Sequence, residues 1–522
     1  MLDIIFVHPN SSKSVYQDLS KTYSATEPPI WAGMLANHCR IKGFSVDLID
    51  CEVNEFSAET AAIMLACESP RLVCIVVYGQ QPSASTQNME GAIALSKEIK
   101  RIWPESKIVF VGGHIAALPM ETMEKHKEID FVCLNEGVYT LSELLAVKDL
   151  ENDEELKKIR GLGWRAWEVK ESIETHEHID IPVDELIILN DPMPIVPKDK
   201  LQQDLPGVAW DLIPLSLYRT ALWHSYPNNC HREDFASIYT SLGCPFSCSF
   251  CMINIINRQD NEYSDGSNIF RFWDPEFTIQ HLEFLSALGV KNLKIADEMF
   301  VLNKNHFLKL CNLIIDRGLK FNIWCYARVD TIKDEYLDIL KKAGVNYLGI
   351  GIESAASKIR RDVTKGKFEE VDIRAIVKKV RDHGINVAAN YIFGLPEETQ
   401  ETMKETLDLA LELNTEMANF YCAMAYPGSP LYKIAKENNW ELPETYSGYS
   451  QHSYDCKPLP SKYLTAAEIL EFRDKAWLTY HTNTEFLSLI EKKFGKQAKN
   501  EILKSTKIQL KRKLLERTHD KT

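Results

Sequence analysis

Three cysteines lie within a span of eight residues, at Cys244, Cys248 and Cys251, with the spacing C-x3-C-x2-C. A structural zinc site usually has four ligands arranged as two pairs, and no second pair is nearby. Cys230 and His231 are poor candidates because they precede the strand predicted before the loop. Three thiolates on one short loop suit a cubane 4Fe–4S cluster with one iron left open to bind a substrate or a cofactor. A zinc site and buried free cysteines stay open as alternatives.

The cysteine loop, residues 241–251, follows the first of six strand–helix steps between residue 235 and about residue 431. In each step a short apolar run is followed by a helical pattern. The predicted strands are 236–240, 292–296, 321–326, 347–350, 386–393 and 417–423. Six such steps predict a partial (β/α)6 barrel of the TIM type, in which functional groups lie at the carboxyl ends of the strands. Candidate residues follow at four of those ends, namely Asp297 with Glu298, Arg328, Glu353 and Gly394.

Residues 1–150 also alternate strands and helices. A continuous β-branched run such as residues 73–77 is typical of a strand buried on both faces. The alternation predicts a doubly wound, Rossmann-like parallel sheet, whose ligands bind beyond the carboxyl ends of the strands. The candidate ligand residues at those ends are Tyr78, Gln80, Ser83, Gly112, Gly113, Glu136 and Gly137.

We divide the chain into four parts. Residues 1–150 form the Rossmann-like domain, 151–229 a connector that packs on its neighbours, 230–460 the barrel core and 461–522 a helical extension. The extension carries a basic segment, residues 492–521, with eleven Lys or Arg against three Asp or Glu. Two interpretations of this segment stay open: an ordinary solvated helix, and a docking site for an anionic partner or a membrane surface.

The composition, 45% hydrophobic and 26% charged, excludes a disordered or collagen-like protein. A formal net charge of −14 makes a nucleic-acid binder unexpected, because attraction to phosphates needs positive charge. We see no apolar run of the ~18–20 residues that a membrane span needs. The first residues, MLDIIFVHPN, lack the basic region of a secretion signal. Thirteen cysteines in 522 residues are too dilute for a disulfide framework, so we expect a reducing, cytoplasmic compartment.

The cysteine spacing at the start of a (β/α) barrel resembles the radical S-adenosylmethionine (SAM) superfamily. Four further segments share the resemblance: Asp297-Glu298-Met-Phe300, Tyr326-Ala-Arg328-Val-Asp330, Gly349-Ile-Gly-Ile-Glu353-Ser354 and Tyr391-Ile-Phe-Gly394-Leu-Pro-Glu397. Together with the Rossmann-like domain, the chain resembles the cobalamin-dependent branch of that superfamily. The segments that resemble the branch are Pro28-Pro29-x-Trp31, Gly112-Gly113, Glu136-Gly137, Arg160-Gly161-Leu162 and Pro206-x-x-x-Trp210-Asp211.

One cobalamin signature, D-x-H-x-x-G, is missing from the sequence. The branch typically lacks this histidine too, so its absence is compatible with the resemblance. His8 and His114 lie on candidate ligand loops, but neither has the context of that signature. An inherited domain that binds no cobalamin stays open as an alternative.

The resemblance implies roles for the candidate residues. Cys244, Cys248 and Cys251 would hold three irons of the cluster. Phe250 would pack near the adenine of SAM, and the Gly394 turn would approach it. The remaining implied SAM contacts are Asp297 or Glu298 to the ammonium group, Glu353 to the ribose or amino group, and Arg328 to the carboxylate. The structural alternatives are loop packing for Phe250, ion pairs at the barrel rim for the acids, and a solvent-exposed Arg328.

The implied activity is reductive cleavage of SAM, and such domain pairs most often resemble methyltransferases acting on unactivated carbon, occasionally phosphorus. We assign no catalytic residue beyond the cofactor ligands. The implied cofactors are a 4Fe–4S cluster, SAM and cobalamin. The implied partners are a small-molecule substrate and an external electron donor such as flavodoxin or ferredoxin.

Two other functions stay open. One is a cyclase or rearrangement enzyme of the same branch that transfers no methyl group. The other is a non-catalytic iron–sulfur protein that senses redox state. A structural cluster needs none of the polar residues at the barrel strand ends, which argues against the sensor. Among the other cysteines, most are expected to be buried, with Cys325 and Cys422 as candidates to face the barrel cavity.

Overall fold

The computed structural model describes residues 2–79, 81–166, 186–256, 270–364 and 371–519. The candidate ligand residue Gln80 lies outside the described residues. The chain divides into two compact units. The first unit comprises Met1–Ser11, Pro29–Ile213 and Met252–Asn268, and the second comprises Ser12–Pro28, Pro214–Cys251 and Ile269–Thr522.

Strands occur in both units. Those of the described residues are β1 (Ile4–His8), β2 (Val46–Asp50), β3 (Leu72–Val76), β4 (Ile108–Val111), β5 (Phe131–Cys133), β6 (Leu162–Arg165), β7 (Ile187–Leu189), β8 (Phe235–Ile238), β9 (Ser241–Leu242), β10 (Arg271–Phe272), β11 (Asn292–Ile295), β12 (Asn322–Arg328), β13 (Val345–Glu353), β14 (Asn386–Phe393) and β15 (Met417–Cys422).

The helices of the described residues are α1 (Ser12–Tyr16), α2 (Leu19–Thr22), α3 (Ile30–Ile41), α4 (Ala58–Glu68), α5 (Ala84–Ile102), α6 (Gly113–Ala117), α7 (Pro119–Lys125), α8 (Val138–Ala146), α9 (Asp153–Leu156), α10 (Leu201–Asp204), α11 (Pro275–Ala287), α12 (Lys304–Asp316), α13 (Leu337–Lys342), α14 (Ser357–Thr364), α15 (Ile373–Asp382), α16 (Gln400–Leu413), α17 (Pro430–Glu437), α18 (Ala466–His481), α19 (Thr484–Ser505) and α20 (Lys513–His519). Several start at side-chain caps, such as the capping box of Thr465 and Glu468 at α18. In the part of the chain that the structure describes, no helix is both long and apolar enough to cross a membrane.

In the first unit, β1 to β5 form a parallel sheet in the order β2-β1-β3-β4-β5. Every residue of β1, β3, β4 and β5 is buried, as expected of strands covered by helices on both faces. The chain order reverses between β1 and β3, which favours a ligand crevice beyond the carboxyl ends of these strands. The predicted doubly wound fold is confirmed. Two short antiparallel strands from the connector, β6 and β7, extend the sheet beyond β5.

In the second unit, six parallel strands pair in chain order, β8-β11-β12-β13-β14-β15. The predicted partial barrel is confirmed, with β8 and β15 at its two edges. Tyr391 and Phe393 stack on Phe420, and Phe393 also meets Phe472 of α18, so these side chains mark the outer face. Because side chains alternate along a strand, Asn390 and Asn419 point to the inner face.

An aromatic cluster closes the inner face near the amino-terminal ends of the strands. Trp324 and Tyr347 of the sheet each lie 5.1 Å from the ring of Trp223, and Phe494 of α19 packs on the same cluster. We call these four residues the aromatic floor. Since Trp324 points inward, the next residue along β12, Cys325, points to the helices of the outer face.

The expectation that Cys325 and Cys422 face the barrel cavity is therefore wrong. Both are buried on the outer face, where Cys422 follows the outward-pointing Phe420 by two residues. The charge interactions of the two thiols agree, since Cys325 lies near Cys311 of α12 and Cys422 lies near Cys456.

The basic segment is joined to the second unit by buried contacts. Arg512 is 4% exposed and donates to both carboxylate oxygens of Asp474 at 2.8 and 2.9 Å, and to the carbonyls of Gln451 and Ser453. The ammonium group of Lys493 lies 2.7 Å from the carboxylate of Glu416, which is itself buried. These pairings favour a structural role for the segment over a docking surface.

Candidate functional site

The cysteine loop begins on a buried carboxylate, that of Asp297. Its Oδ1 accepts the amide of Thr240 at 2.6 Å, and its Oδ2 accepts the hydroxyls of Thr240 and Ser241, both at 2.6 Å. Asp297 is fully buried, and this burial raises its pKa to about 6 despite the donors. Both oxygens are engaged by the residues that start the loop, so Asp297 acts as an anchor, and a contact of Asp297 or Glu298 with the SAM ammonium group stays a prediction.

Glu298 has a carboxylate that is only partly satisfied. Its Oε2 is buried and accepts no hydrogen bond from the described residues. Burial raises the pKa of Glu298 to about 8; the charge of Asp297 adds to the rise, while Arg271 and the Gly243 amide oppose it. The Cys244 thiol is near enough for its pKa to respond to the Glu298 charge. A buried acceptor oxygen beside a thiol suits a bound ammonium group, because a cation supplies the missing donor.

The three cysteines of the loop are half-buried. Burial raises the pKa of the Cys248 thiol to about 11, and it raises that of Cys244 well above the usual range, with Cys251 adding to the effect. Such thiols ionise only beside positive charge, which iron supplies. Within the described ranges, no three His, Cys, Asp or Glu side chains converge as the ligands of one metal ion do. Each thiolate of a cubane binds a different iron, so a cluster does not require that convergence.

Phe250 and the middle of the cysteine loop pack on the carboxyl-terminal side of the barrel. The Ser249 amide donates to the Val363 carbonyl at 3.0 Å, and the Ser249 carbonyl accepts the Leu431 amide at 2.8 Å. Phe250 is half-buried against an apolar cluster made of Ile359, Val363, Ile392, Leu395 and Ala423. Loop packing is therefore observed for Phe250, and its contact with adenine stays a prediction.

Arg328 is 6% exposed, so the solvent-exposed alternative is wrong. Its Nε and Nη2 donate to the Asp330 carboxylate at 2.6 and 2.5 Å. The guanidinium carbon lies 3.4 Å from the ring centroid of Phe246, inside the cysteine loop. A hydrogen bond and the charge of Arg328 both lower the pKa of Cys248, against the larger effect of burial. Arg328 therefore places positive charge beside one of the three thiols, and its contact with the SAM carboxylate stays a prediction.

Glu353 ends β13 in a left-handed backbone conformation, with φ of 64°, where the pairing with β14 shifts register. Such strain in a non-glycine residue is typical of functional sites. Burial raises the pKa of Glu353 to about 7, and the charge of Arg328 opposes the rise. A Cβ on Gly351 would lie 2.5 Å from Glu353 Oε1, so the absence of a side chain there lets the carboxylate fold over the strand. Glu353 has no ion-pair partner among the described residues, which disfavours the rim ion pair.

Glu398 is a site residue that the sequence patterns missed. Its Oε2 accepts the amides of Gly394 and Leu395 at 2.7 and 3.1 Å, and its Oε1 accepts the Ser354 hydroxyl at 3.2 Å. Burial raises the pKa of Glu398 to about 7. It thereby ties the loop after β13 to the loop after β14. Gly394 itself has φ of 78°, and a Cβ there would lie 2.6 Å from Ile469 of α18, so this glycine also permits close helix packing.

The candidate cobalamin residues lie at the carboxyl edge of the first unit's sheet. The Tyr78 ring stacks on Trp31 with centroids 4.3 Å apart, and its hydroxyl donates to the Asn135 carbonyl at 3.3 Å. Gly112 has φ of 154°, and a Cβ there would lie 2.6 Å from Val77. For Gly113 the nearest atom to such a Cβ is the Met252 methyl at 2.9 Å. The paired glycines thus leave the backbone bare where β4 ends.

Three other candidates for cobalamin binding have roles in the first unit's own backbone. Ser83 precedes α5 without a side-chain capping bond, and Gly137 precedes α8. Glu136 is 2% exposed and accepts the Val196 amide, which joins it to the connector. One oxygen of the Glu136 carboxylate is therefore hydrogen-bonded within the chain.

Two histidines lie at the same edge. His8 and Asp50 are register partners at the ends of β1 and β2, with His8 Nδ1 3.0 Å from Asp50 Oδ1. Burial opposes a charge on His8, but the charge and hydrogen bond of Asp50 outweigh it and raise the pKa of His8. His114 lies 3.2 Å from the Thr86 hydroxyl, and burial lowers its pKa to about 3. The two imidazoles therefore favour opposite charge states.

Family profiles match both units. The profile of the Radical SAM superfamily matches residues 238–410, which include the three cysteines and Glu298. The profile of the B12 binding domain matches residues 17–145. The chain combines the two domains of the cobalamin-dependent radical SAM enzymes. The cofactors of this cobalamin-dependent radical SAM enzyme are a 4Fe–4S cluster, SAM and cobalamin.

Known proteins match this chain over most of its length. An uncharacterized methyltransferase of Pyrococcus horikoshii is 27% identical over 489 residues, 93% of this chain and 94% of the relative. The anaerobic magnesium-protoporphyrin IX monomethyl ester cyclase of Cereibacter sphaeroides is 25% identical over 475 residues, 90% of this chain and 68% of that protein. The radical SAM methyltransferase TsrM from Kitasatospora setae, solved with cobalamin and a 4Fe–4S cluster, matches with a TM-score of 0.64 at 18% identity over 97% of this chain and 99% of TsrM.

Proposed function

We propose that this cobalamin-dependent radical SAM enzyme is a methyltransferase that acts on an unactivated carbon or phosphorus centre of a small molecule. The observation that carries the proposal is the buried, unused oxygen of Glu298 beside the cysteine loop, in a chain that also has a B12 binding domain. A cluster held by the three cysteines would supply the electron that cleaves SAM, and cobalamin would carry the methyl group. An external flavodoxin or ferredoxin would supply that electron to the cluster.

In the second unit, the proposal gives each site residue a task. Cys244, Cys248 and Cys251 hold the iron, on a loop whose start is fixed by Asp297. Glu298 binds the ammonium group of SAM with its unused oxygen, and Glu353 binds the ribose or amino group. Because both acids are half-buried, their hydrogen bonds to a cationic ligand are worth more than they would be in water.

In the first unit, the backbone at the end of β4 would receive the cobalamin. Gly112 and Gly113 allow Val77 and Met252 to pack closely on this backbone, and that packing would set the shape of the crevice. Tyr78, fixed by its stack on Trp31 and its bond to Asn135, would offer one wall of the crevice. We assign this site to residues 1–150 and the cluster site to residues 230–460.

A cyclase or rearrangement enzyme is the second candidate function. The cyclase of Cereibacter sphaeroides supports it, because its similarity spans 90% of this chain. The redox sensor is less well supported, since a sensor has no need of a buried acid with an unused acceptor beside the cluster loop.

Anaerobic incubation of the reconstituted protein with dithionite and methyl-labelled SAM tests the proposal. We expect both 5′-deoxyadenosine and S-adenosylhomocysteine, the second because methyl transfer leaves it behind. Deoxyadenosine alone would instead support the cyclase or rearrangement enzyme. If protein with a spectroscopically intact cluster formed neither product, both enzymatic functions would be contradicted, and the result would support the redox sensor.

A further inference from the structure

Two asparagines occupy the inner face of the barrel beyond the residues assigned to SAM. Asn390 of β14 and Asn419 of β15 are register partners. Asn419 Nδ2 donates to Asn390 Oδ1 at 2.9 Å, while Asn390 Nδ2 points to the carbonyls of Ile350 and Ala388, each at 3.4 Å. The Asn390 side chain therefore fixes the orientation of the Asn419 carboxamide.

The Asn419 carboxamide keeps hydrogen-bonding capacity that the chain does not use. A carboxamide has two N–H donors and an acceptor oxygen. The bond to Asn390 uses one donor, and the described residues provide no partner for Asn419 Oδ1 or for the second N–H. Asn419 is half-buried, and its oxygen is not enclosed by the protein. It thus offers one acceptor and one donor side by side.

This pair lies between two surfaces already described. Two residues earlier on the same strands, Ala388 and Met417 pack against the aromatic floor. Two residues later, Ile392 belongs to the apolar cluster that contacts Phe250 of the cysteine loop, and Tyr421 packs against the same cluster. A molecule held by Asn419 would therefore lie on the inner face, below the cysteine loop and above the floor.

Aromatic side chains flank the asparagines. Tyr326 of β12 and Tyr421 of β15 are half-buried on the inner face and lie near enough for Tyr326 to raise the pKa of Tyr421, after the larger effect of burial. Tyrosine rings present flat faces that favour planar ligands.

The cations of this face are already paired. The Lys294 ammonium lies 2.9 and 3.1 Å from the two oxygens of Glu27, with the lysine side chain 2% exposed. The Arg328 guanidinium is bound by Asp330. Glu298 and Glu353 lie near the cysteine loop, close to Cys244 and Cys248 respectively. An anionic substrate would have to compete with the carboxylates of Glu27 and Asp330 for these two cations.

We propose that Asn419, oriented by Asn390, determines specificity by binding a neutral, planar substrate that presents an N–H and a C=O group side by side, as in a carboxamide or a lactam. Phosphonates and other anions should bind less well, because Glu27 and Asp330 already hold Lys294 and Arg328. The inference rests on the proposed function and narrows it to methyl transfer to a carbon of such a substrate.

A matched pair of probes tests this assignment. Benzamide and phenylphosphonate share one ring and differ in the group that Asn419 would recognise. With the reconstituted enzyme and SAM, we expect an NMR titration to give a Kd for benzamide at least about tenfold below that for phenylphosphonate. Equal binding, or tighter binding of phenylphosphonate, would overturn the proposal.

Variants then assign the effect to Asn419. Asn419→Asp keeps the size of the side chain but replaces its donors by a carboxylate, and Asn419→Leu removes the polar group. Both should weaken benzamide binding about tenfold and leave phenylphosphonate binding weak, so that the preference between the probes is lost. The control Asn305→Asp, at the exposed start of α12, should bind both probes like the wild type. A merely structural asparagine would lower the Tm without changing the ratio of the two Kd values, and that result would contradict a role in specificity.

Failure of the proposed function is visible separately. Reductive formation of 5′-deoxyadenosine without substrate reports the cluster and SAM site, and the Asn419 variants should keep it. If the wild type formed no 5′-deoxyadenosine, the proposed function would be contradicted. If the wild type formed it and Asn419→Leu bound benzamide as tightly as the wild type, only the inference about Asn419 would be contradicted.

Discussion

In the first unit, the polar groups at the carboxyl edge of the sheet hydrogen-bond within the chain, whereas in the second unit Glu298 keeps a buried acceptor oxygen unused. The first unit instead offers bare backbone at Gly112 and Gly113. In the second unit, by contrast, the glycine Gly351 lies beneath the carboxylate of Glu353.

The difference matches the two ligands that the family profiles imply. Cobalamin is large and can be held by the shape of a crevice and by backbone amides. SAM is small and carries charged groups, so individual side chains and metal ligands must hold it. Changes of side-chain charge should therefore damage the second site, and changes of shape should damage the first.

The largest effect is expected from Cys248→Ala. Loss of one of three thiolates should abolish the iron–sulfur absorption of the reconstituted protein and all formation of 5′-deoxyadenosine. Cobalamin binding should persist, because the crevice belongs to the other unit. Cys67→Ser, at an exposed cysteine of α4, is the control and should keep the cluster. An intact cluster in Cys248→Ala would show that this cysteine is not a ligand.

Glu298→Gln should rank next. The substitution keeps the shape but removes the charge that would pair with the ammonium group, so KM for SAM should rise roughly 10- to 100-fold with the cluster spectrum intact. The cobalamin Kd should not change. Glu437→Gln, at an exposed acid of α17, serves as the control, and an unaltered KM in Glu298→Gln would remove this residue from the SAM site.

Gly112→Ala probes the shape of the first site. A methyl group there would lie 2.6 Å from Val77, at a φ of 154° that side chains rarely adopt. Overpacking of this kind costs about 1–3 kcal/mol, so we expect a lower Tm and about tenfold weaker cobalamin binding. Gly43→Ala is the matched control, because it also has a positive φ but no atom within 4 Å of the new methyl. If both variants bound cobalamin equally well, the crevice would lie elsewhere.

The smallest effect concerns pH. The folded state raises the pKa of His8 above 6.5. The stabilisation from protonated His8 beside Asp50 is therefore fully present below the unfolded pKa and is lost as the pH rises through the raised folded pKa. The Tm difference between wild type and His8→Gln should shrink from acidic to alkaline pH in thermal melts. A difference that grows toward alkaline pH would contradict the assignment.

The sequence predicted best those features whose pattern lies within a few consecutive residues, namely the apolar strands and the cysteine loop. The predicted strand 386–393 coincides with β14, and the predicted strand 292–296 exceeds β11 by one residue. Both are apolar runs bounded by turn residues, and the alternation of strands and helices then fixes the parallel order. The connector strands β6 and β7 were not predicted, because three or four residues show too little periodicity.

The division of labour among acids required the three-dimensional structure. Asp297 and Glu298 are adjacent and chemically alike, yet Asp297 uses both oxygens to anchor the start of the loop, whereas Glu298 keeps its Oε2 unused. Likewise Glu397 is exposed and Glu398 is fully buried, a difference set by the turn after β14. The partners His8 and Asp50 are 42 residues apart, so only the pairing of β1 with β2 brings them together.

The anchoring of the cysteine loop by Asp297 has a consequence for the protein after oxygen has destroyed its iron–sulfur cluster. The ties from Asp297 to Thr240 and Ser241 join atoms of the polypeptide alone, so oxidative destruction of the inorganic core breaks none of them. Protein that has lost its cluster to oxidation should keep the start of the cysteine loop folded. It should regain its iron–sulfur absorption when ferrous iron and sulfide are added anaerobically, without a denaturation step.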